Sequence, residues 1–405
     1  MMVDSGVKEE LKQAVQERMD YGRDYSDDEV DELIDEIMLC REEIRLYPVE
    51  TRRNLKRELF NSLRRLDILQ SFVDDSSVTE IMINGTNSIF IEKNGHLQQI
   101  DIRFETVEKL RDIIQKIVAG CNRAVNEASP IVDARLSNGS RVNIVMNPIA
   151  LNGPIVTIRR FPDHPITMDR LVEIGSLSEE AAAFLQRLVR AGYNLFVSGG
   201  TGSGKTTFLN ALSAHIPKEE RVITIEDSAE LQLQGIPNLV RLETRNSNVE
   251  DCREITIREL IRSSLRMRPD RIIVGEVRGA EAFDMMQCMN TGHDGSMSTG
   301  HANSAEDMLS RLENMVLMGM ELPLAAIRQQ IASGLDVIVH LGRLRDKSRK
   351  ILEISEVAEY KNGEIHLNPL YVFEELGEDE EGHIRGALQR KGELMHEHKL
   401  KAAGL

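Results

Sequence analysis

Eight consecutive residues of this chain have the types and spacing of a phosphate cradle. Gly199, Gly200, Thr201, Gly202, Ser203, Gly204, Lys205 and Thr206 make a complete G-x-x-x-x-G-K-[ST], and Thr207 extends the hydroxyl run. The glycines let backbone N–H groups close around phosphate oxygens with no Cβ in the way. A helix that opens at this point adds its partial positive charge. Lys205 then offers a point charge to β- and γ-phosphates and Thr206 a hydroxyl to a magnesium ion, so ATP and Mg2+ are the implied ligands. A purely structural glycine turn would not require the context seen here, an apolar strand-like run before the motif (NLFVSGG) and a helical one after it (KTTFLNALSAHI).

Three further clusters fit the same chemistry. Ile225-Glu226-Asp227-Ser228-Ala229-Glu230 closes a strand-like run. Carboxylates there could hold a magnesium ion through water or polarise an attacking water, with Glu226 the catalytic candidate and Asp227 the metal candidate. Acidic turns are also common on surfaces. About seventy residues after the P-loop, Arg271-Ile272-Ile273-Val274-Gly275-Glu276 is an apolar strand ending in an acid, the Walker B arrangement with Glu in place of the usual Asp. Glu276 sits where such ATPases place their base and can also face the metal. In Thr291–Ala302, His293 and His301 flank a Gly-, Ser- and Thr-rich strand entrance. With no third histidine nearby zinc is not expected, and His301 suits contact with the γ-phosphate. Charge spreading over the γ-phosphate oxygens calls for a further cation, and the segment 133–160 carries Arg135, Arg141, Arg159 and Arg160. Arg135 and Arg141 are the first candidates for an arginine finger, worth about 10³–10⁵ in kcat. Their bland use would be to stabilise a domain surface.

The elements that must position these residues fall into five stretches. Residues 1–66 read as helical, with Ser26 and Glu29 spaced as a capping box ahead of Val30, Leu33, Ile34 and Ile37 on one face. Residues 67–162 read as a small α+β domain, punctuated by Asn84-Gly85 and Asn94-Gly95 as hairpin turns. Residues 163–177, following Pro162 and containing Pro165, read as a linker. Residues 178–375 alternate helix and strand as parallel βαβ units do, so the fold class is α/β. Residues 376–405 read as a polar, loosely held tail.

Composition sets the frame. The 405 residues carry a formal charge of −16, which disfavours sequence-independent contact with nucleic-acid phosphates. Tryptophan is absent and aromatics are 4%, so burial must rest on Leu, Ile, Val and the 17 methionines. Cys40, Cys121, Cys252 and Cys288 are scattered with no C-x-x-C pair, as expected of reduced thiols in an intracellular protein. No apolar run approaches the ~18–20 residues of a membrane span, and the start lacks a signal-peptide core.

Together, GGTGSGKTTFLNAL, TIEDSAEL, LRMRPDRIIVGEVRGAEAFDM and MNTGHDGSMSTGHANS resemble, in this order, the Walker A loop, Asp box, Walker B and His box of the secretion-superfamily ATPases. With LDVIVHLGRLRDKSRKI and the small domain added, the chain over roughly 68–365 most resembles the CpaF family, the ATPases of tight-adherence pili. Type II secretion and pilus-extension relatives carry paired C-x-x-C zinc motifs; this chain has none, which points to the CpaF or conjugation-type branch. The resemblance implies a RecA-like P-loop ATPase domain behind a small, PAS-like N-terminal domain and a helical segment. It implies a homohexamer at the cytoplasmic face of the inner membrane, nucleotide between the two domains of a subunit, and an inner-membrane platform protein as partner, with no nucleic acid. It makes His301 the His-box residue and leaves Glu226 and Glu276 as the carboxylates near the water, with Glu276 favoured as base.

The rival is a RecA-like DNA translocase of conjugation type, with Arg258, Arg262, Arg266, Arg268 and Arg271 lining a basic pore. Net charge and scarce aromatics for base stacking speak against it. A GTPase would need N-K-x-D and an ABC transporter an L-S-G-G-Q-type signature, and neither is present.

Overall fold

The computed structural model describes residues 5–20, 22–121, 123–161, 165–245 and 253–405; Pro162 and Cys252 lie outside them. The chain divides into two units, one within 1–163 and one within 164–405.

The first unit begins with helices α1 (Ser5–Arg18), α2 (Asp27–Cys40), α3 (Glu42–Arg45) and α4 (Val49–Arg64). Ser26 starts α2 as the spacing requires: its hydroxyl accepts from the Glu29 N–H while the Glu29 carboxylate accepts from the Ser26 N–H. Such a cap is worth about 1 kcal/mol. Val30, Ile34 and Ile37 bury against Leu11, Val15, Leu55 and Leu59 in a core of their own, and Leu33 packs at its edge. After α5 (Gln70–Asp74), strands β1 (Val78–Asn84), β2 (Ile89–Lys93), β3 (His96–Ile100), β4 (Ile131–Arg135), β5 (Arg141–Val145) and β6 (Ile155–Arg159) form one antiparallel sheet in the order β3-β2-β1-β6-β5-β4. Asn94 and Gly95, at φ 52° and 79°, make the tight β2–β3 turn. Helix α6 (Val107–Ala119) covers one face, its Leu110, Ile114 and Ile117 meeting Ile81, Val142 and Ile158. Strand β4 buries Val132 and Ala134 of its five residues.

The second unit opens with α7 (Met168–Glu173) and α8 (Glu179–Arg190). The first of these corrects the linker expectation. Pro165 lies ahead of the helix, Thr167 caps it by accepting from the Arg170 N–H, and Met168 and Leu171 are buried in this unit's core. Around them runs a nine-stranded sheet of β7 (Leu195–Gly199), β8 (Arg221–Glu226), β9 (Asn238–Glu243), β10 (Arg271–Val274), β11 (Met297–Gly300), β12 (Val337–Arg343), β13 (Arg349–Lys361), β14 (Glu364–Glu378) and β15 (Ile384–Arg390). Its order is β15-β14-β13-β12-β7-β11-β10-β8-β9, parallel from β12 to β9 and antiparallel from β12 to β15. Helices α9 (Lys205–Ser213) and α10 (Ile257–Ser264) follow β7 and β9, and α11 (Glu281–Asn290), α12 (Ala305–Gly319) and α13 (Leu324–Gly334) complete the alternation. Met285, Met286, Met289, Met308 and Met315 fill one of its cores, the use the composition implied.

The polar tail is not loosely held. Strand β14 runs on to Glu378, β15 pairs with it, and α14 (His398–Ala402) folds back. The Tyr193 hydroxyl donates to the His396 carbonyl (2.6 Å), and Lys399 Nζ lies 2.7 Å from carboxylate oxygens of both Asp294 and Asp336. An edge strand needs few apolar residues, and Ile384 and Leu388 are the two of β15 that are buried, so its sequence reads as polar.

Candidate nucleotide site

Parallel pairing sets the carboxyl ends of β7, β8, β10 and β11 along one edge of the sheet, where ligands of open α/β sheets bind. Each sequence cluster leaves one of those ends: the P-loop from β7, Glu226 from β8, Glu276 just past β10, and His301 just past β11.

The P-loop is built as its glycines require. A Cβ on Gly199, at φ 154°, would stand 2.4 Å from the Leu341 carbonyl oxygen and 2.6 Å from Ser203 Oγ. Gly204 takes the left-handed conformation (φ 94°) that starts α9. Above Gly200 and Gly202 an added Cβ would meet nothing within 4 Å, so the hollow of the loop is open. Lys205 Nζ donates to the Gly199 and Gly200 carbonyls at 3.0 and 2.9 Å and lies 3.2 Å from His301 Nδ1. With Nδ1 facing an ammonium donor, the imidazole proton belongs on Nε2. That nitrogen is 2.9 Å from Glu276 Oε1, close but not aligned as a hydrogen bond. Arg278 completes the row, its Nη2 donating to Glu276 Oε2 at 2.7 Å. Lys205, His301, Glu276 and Arg278 thus stand in one line beside the loop.

Burial lowers the Lys205 and His301 pKa values, and His301 is lowered further by Lys205 itself. For Glu276 burial pulls upward, but the Arg278 bond and the charges of Arg278, His301 and Lys205 outweigh it and hold the carboxyl below its ordinary value. Glu226 is the reverse case. It is 3% exposed, and burial pushes its pKa up to about 7 against two backbone N–H bonds. Those bonds, from Glu230 and Leu231 to Oε1 at 2.8 Å each, tie the acidic turn to the strand end. Asp227 lies in that turn, its carbonyl accepting from the Thr244 hydroxyl.

Three buried polar atoms here, Ser203 Oγ, Glu226 Oε2 and Glu276 Oε1, have no hydrogen-bond partner. With the open loop, they fit a polar ligand of the nucleotide–Mg2+ kind. Among the described residues no group of three His, Cys, Asp or Glu side chains could by itself hold a metal. His293 and His301 lie at opposite ends of β11, so they are not a ligand pair.

Two residues at this edge escaped the sequence reading. Arg278 follows Glu276 by two positions and could have been noticed as a charge beside the strand end. Arg349 could not: it lies far along the chain, yet its Nε donates to the Gly202 carbonyl (2.8 Å) because β13 is two strands from β7. Arg135 and Arg141 belong to the first unit's sheet, where they are cross-strand partners, with Arg159 next in the row and Arg141 Nη2 3.7 Å from Asp133. Three of the five arginines named for a pore are otherwise employed. Arg258 and Arg262 both bond Asp284, at 2.6 and 2.8 Å, and Arg271 is buried on Glu220 and the Val189 carbonyl.

The family model described as Type II/IV secretion system protein matches residues 63–379. A putative conjugal transfer protein of Mycobacterium tuberculosis (strain H37Rv) is 35% identical over 307 residues, 74% of this chain and 86% of that one. The type IV secretion system protein VirB11 of Brucella suis is 33% identical over 303 residues, 68% of this chain and 84% of the relative. Among solved structures, the pilus retraction motor PilT with bound ADP shares the fold, with a TM-score of 0.51 at 16% identity over 84% of this chain and 88% of its own.

Proposed function

The chain belongs to the type II/IV secretion system protein family, and from that premise we propose that it is a Mg2+-dependent motor that hydrolyses ATP to ADP and phosphate to drive pilus assembly or protein secretion. It is an ATPase of the secretion superfamily. The observation that carries the finer reading is the row Lys205–His301–Glu276 beside an open P-loop.

Lys205 exchanges the Gly199 and Gly200 carbonyls for phosphate oxygens, and the loop N–H groups bind the β-phosphate. Thr206 would supply the hydroxyl ligand of Mg2+, with Glu276 and Asp227 the carboxylates that would face it, and the ion would neutralise developing phosphate charge. Glu276, held ionised by its cations, takes the proton of the attacking water, while Glu226, tied to the acidic turn through Oε1, orients that water. His301, between Lys205 and Glu276, reports the γ-phosphate to the base. Arg135 and Arg141 supply the transition-state cation from the first unit, which couples hydrolysis to domain closure. The missing C-x-x-C pairs support the CpaF or conjugation-type branch. A homohexamer, an inner-membrane platform partner and a place at the cytoplasmic membrane face complete this reading; no helix among the described residues is long and apolar enough to cross a membrane.

The name of the Mycobacterium tuberculosis relative favours one alternative, a DNA-moving conjugation motor. A steady-state ATPase assay with and without single- and double-stranded DNA separates the two. Mg2+-dependent turnover indifferent to DNA supports the secretion motor, and stimulation several-fold or more assigns the translocase.

A further inference from the structure

The helical bundle of the first unit has an unfilled recess where α2, α3 and α4 meet. It encloses about 320 Å3, within the ~300–1,000 Å3 range of ligand pockets. Met38, Leu39, Ile44 and Val49 give its apolar lining. Leu39 and Val49 are 54% and 64% exposed, well above what a core needs. Beside the recess Leu46 is 85% exposed.

The charged residues of the lining are Asp35, Arg45, Arg52, Arg53 and Lys56, in a chain whose formal charge is −16. Lys56 is neutralised by Asp31 and Asp35, at 2.7 and 2.6 Å. Arg45 spends its Nε on the Leu39 carbonyl. Arg52 and Arg53, one turn along α4 from Val49, make no ion pair among the described residues, and Arg52 Nε is buried with no acceptor. Two guanidinium groups without ion pairs beside an apolar lining offer charge that a carboxylate can meet.

We infer that this recess docks an acidic amphipathic helix of a partner protein. Apolar side chains spaced i, i+3 and i+4 enter the lining, and carboxylates on the flank of that stripe meet Arg52 and Arg53. The concave shape suits inserted side chains. An anionic bilayer would also meet the exposed Glu42, Glu43 and Glu50 around the recess, whereas a helix places its carboxylates against the two arginines alone. The nucleotide site takes no part, so ATP turnover serves as the folding control.

The test pans a library of 18-residue helices, with a fixed leucine stripe and flanks randomised between Glu and Lys, against the full-length chain. The winner is then measured by fluorescence anisotropy. The expected result is a Glu-flanked winner whose affinity falls at least about tenfold with Arg52→Glu/Arg53→Glu and with Leu39→Asp, while melting temperature and turnover hold. Arg53→Glu alone, an exposed position, repeats the test should the double variant melt early. No enrichment, winners without charge bias, or binding indifferent to these variants overturns the inference. So does binding to phosphatidylglycerol vesicles lost with the same variants in place of helix binding, or a concentration-dependent dimer that they abolish.

Discussion

The ends of β8 and β10 are neighbours in one sheet, and each delivers a glutamate to the same edge. Their surroundings pull in opposite directions. Glu226 is 3% exposed and faces two backbone N–H groups, and burial raises its pKa to about 7. Glu276, its side chain 21% exposed, lies among Arg278, His301 and Lys205 and stays below its ordinary pKa. Residue type and strand position are alike, so the division of labour comes from solvent and neighbouring charge. The less exposed acid is tied to its turn by two N–H bonds; the more exposed one is kept ionised by neighbouring cations.

Four variants test that contrast. Lys205→Ala removes the phosphate charge and one of the cations holding Glu276 down; turnover should fall below about a tenth of wild type, and on to background, with little change in melting. A pure sample retaining more would break the P-loop assignment. Glu276→Gln should bind nucleotide but hydrolyse it about 10²–10⁴-fold more slowly; failure to bind would make Glu276 a structural or metal-holding residue. Arg135→Ala/Arg141→Ala should lower kcat about a hundredfold or more with near-normal melting, as a finger requires. Wild-type hydrolysis by that double variant would pass the role to Arg159 and Arg160.

Glu226→Gln has the smallest expected effect on rate, under about tenfold, because an amide can still accept the two N–H bonds. Its effect on stability depends on pH. A carboxyl whose folded pKa is raised stabilises the fold below its unfolded value and loses that contribution as pH climbs to about 7. Glu226→Gln cannot lose it, so its melting temperature relative to wild type should improve from pH 5 to pH 8 in Mg2+-free buffer, by the equivalent of up to about 3 kcal/mol. A pH-independent difference would place Glu226 in a wetter, ordinary setting.

What could be read from the sequence follows physical range. The P-loop, Glu276 and the capping box of α2 are contiguous patterns in which a few neighbouring residues state their own geometry. Arg349 reaches the loop only through sheet order, which no local spacing encodes. β15 and α14 read as a polar tail because an edge strand and a short helix bury few side chains each. Asp284 and Glu220, which hold Arg258, Arg262 and Arg271, are distant from them in sequence, so those pairings could not be read from local spacing.

The approach of Gly199 to the Leu341 carbonyl has a mechanical consequence. With no room for a methyl group between them, the first glycine of the phosphate loop and strand β12 mesh like teeth. β12 carries β13, and β13 sends Arg349 back to the loop at Gly202, so the loop is gripped at two points by one hairpin. A side chain at position 199 would therefore have to push β12 away, and with it the hairpin that holds Arg349 against the loop.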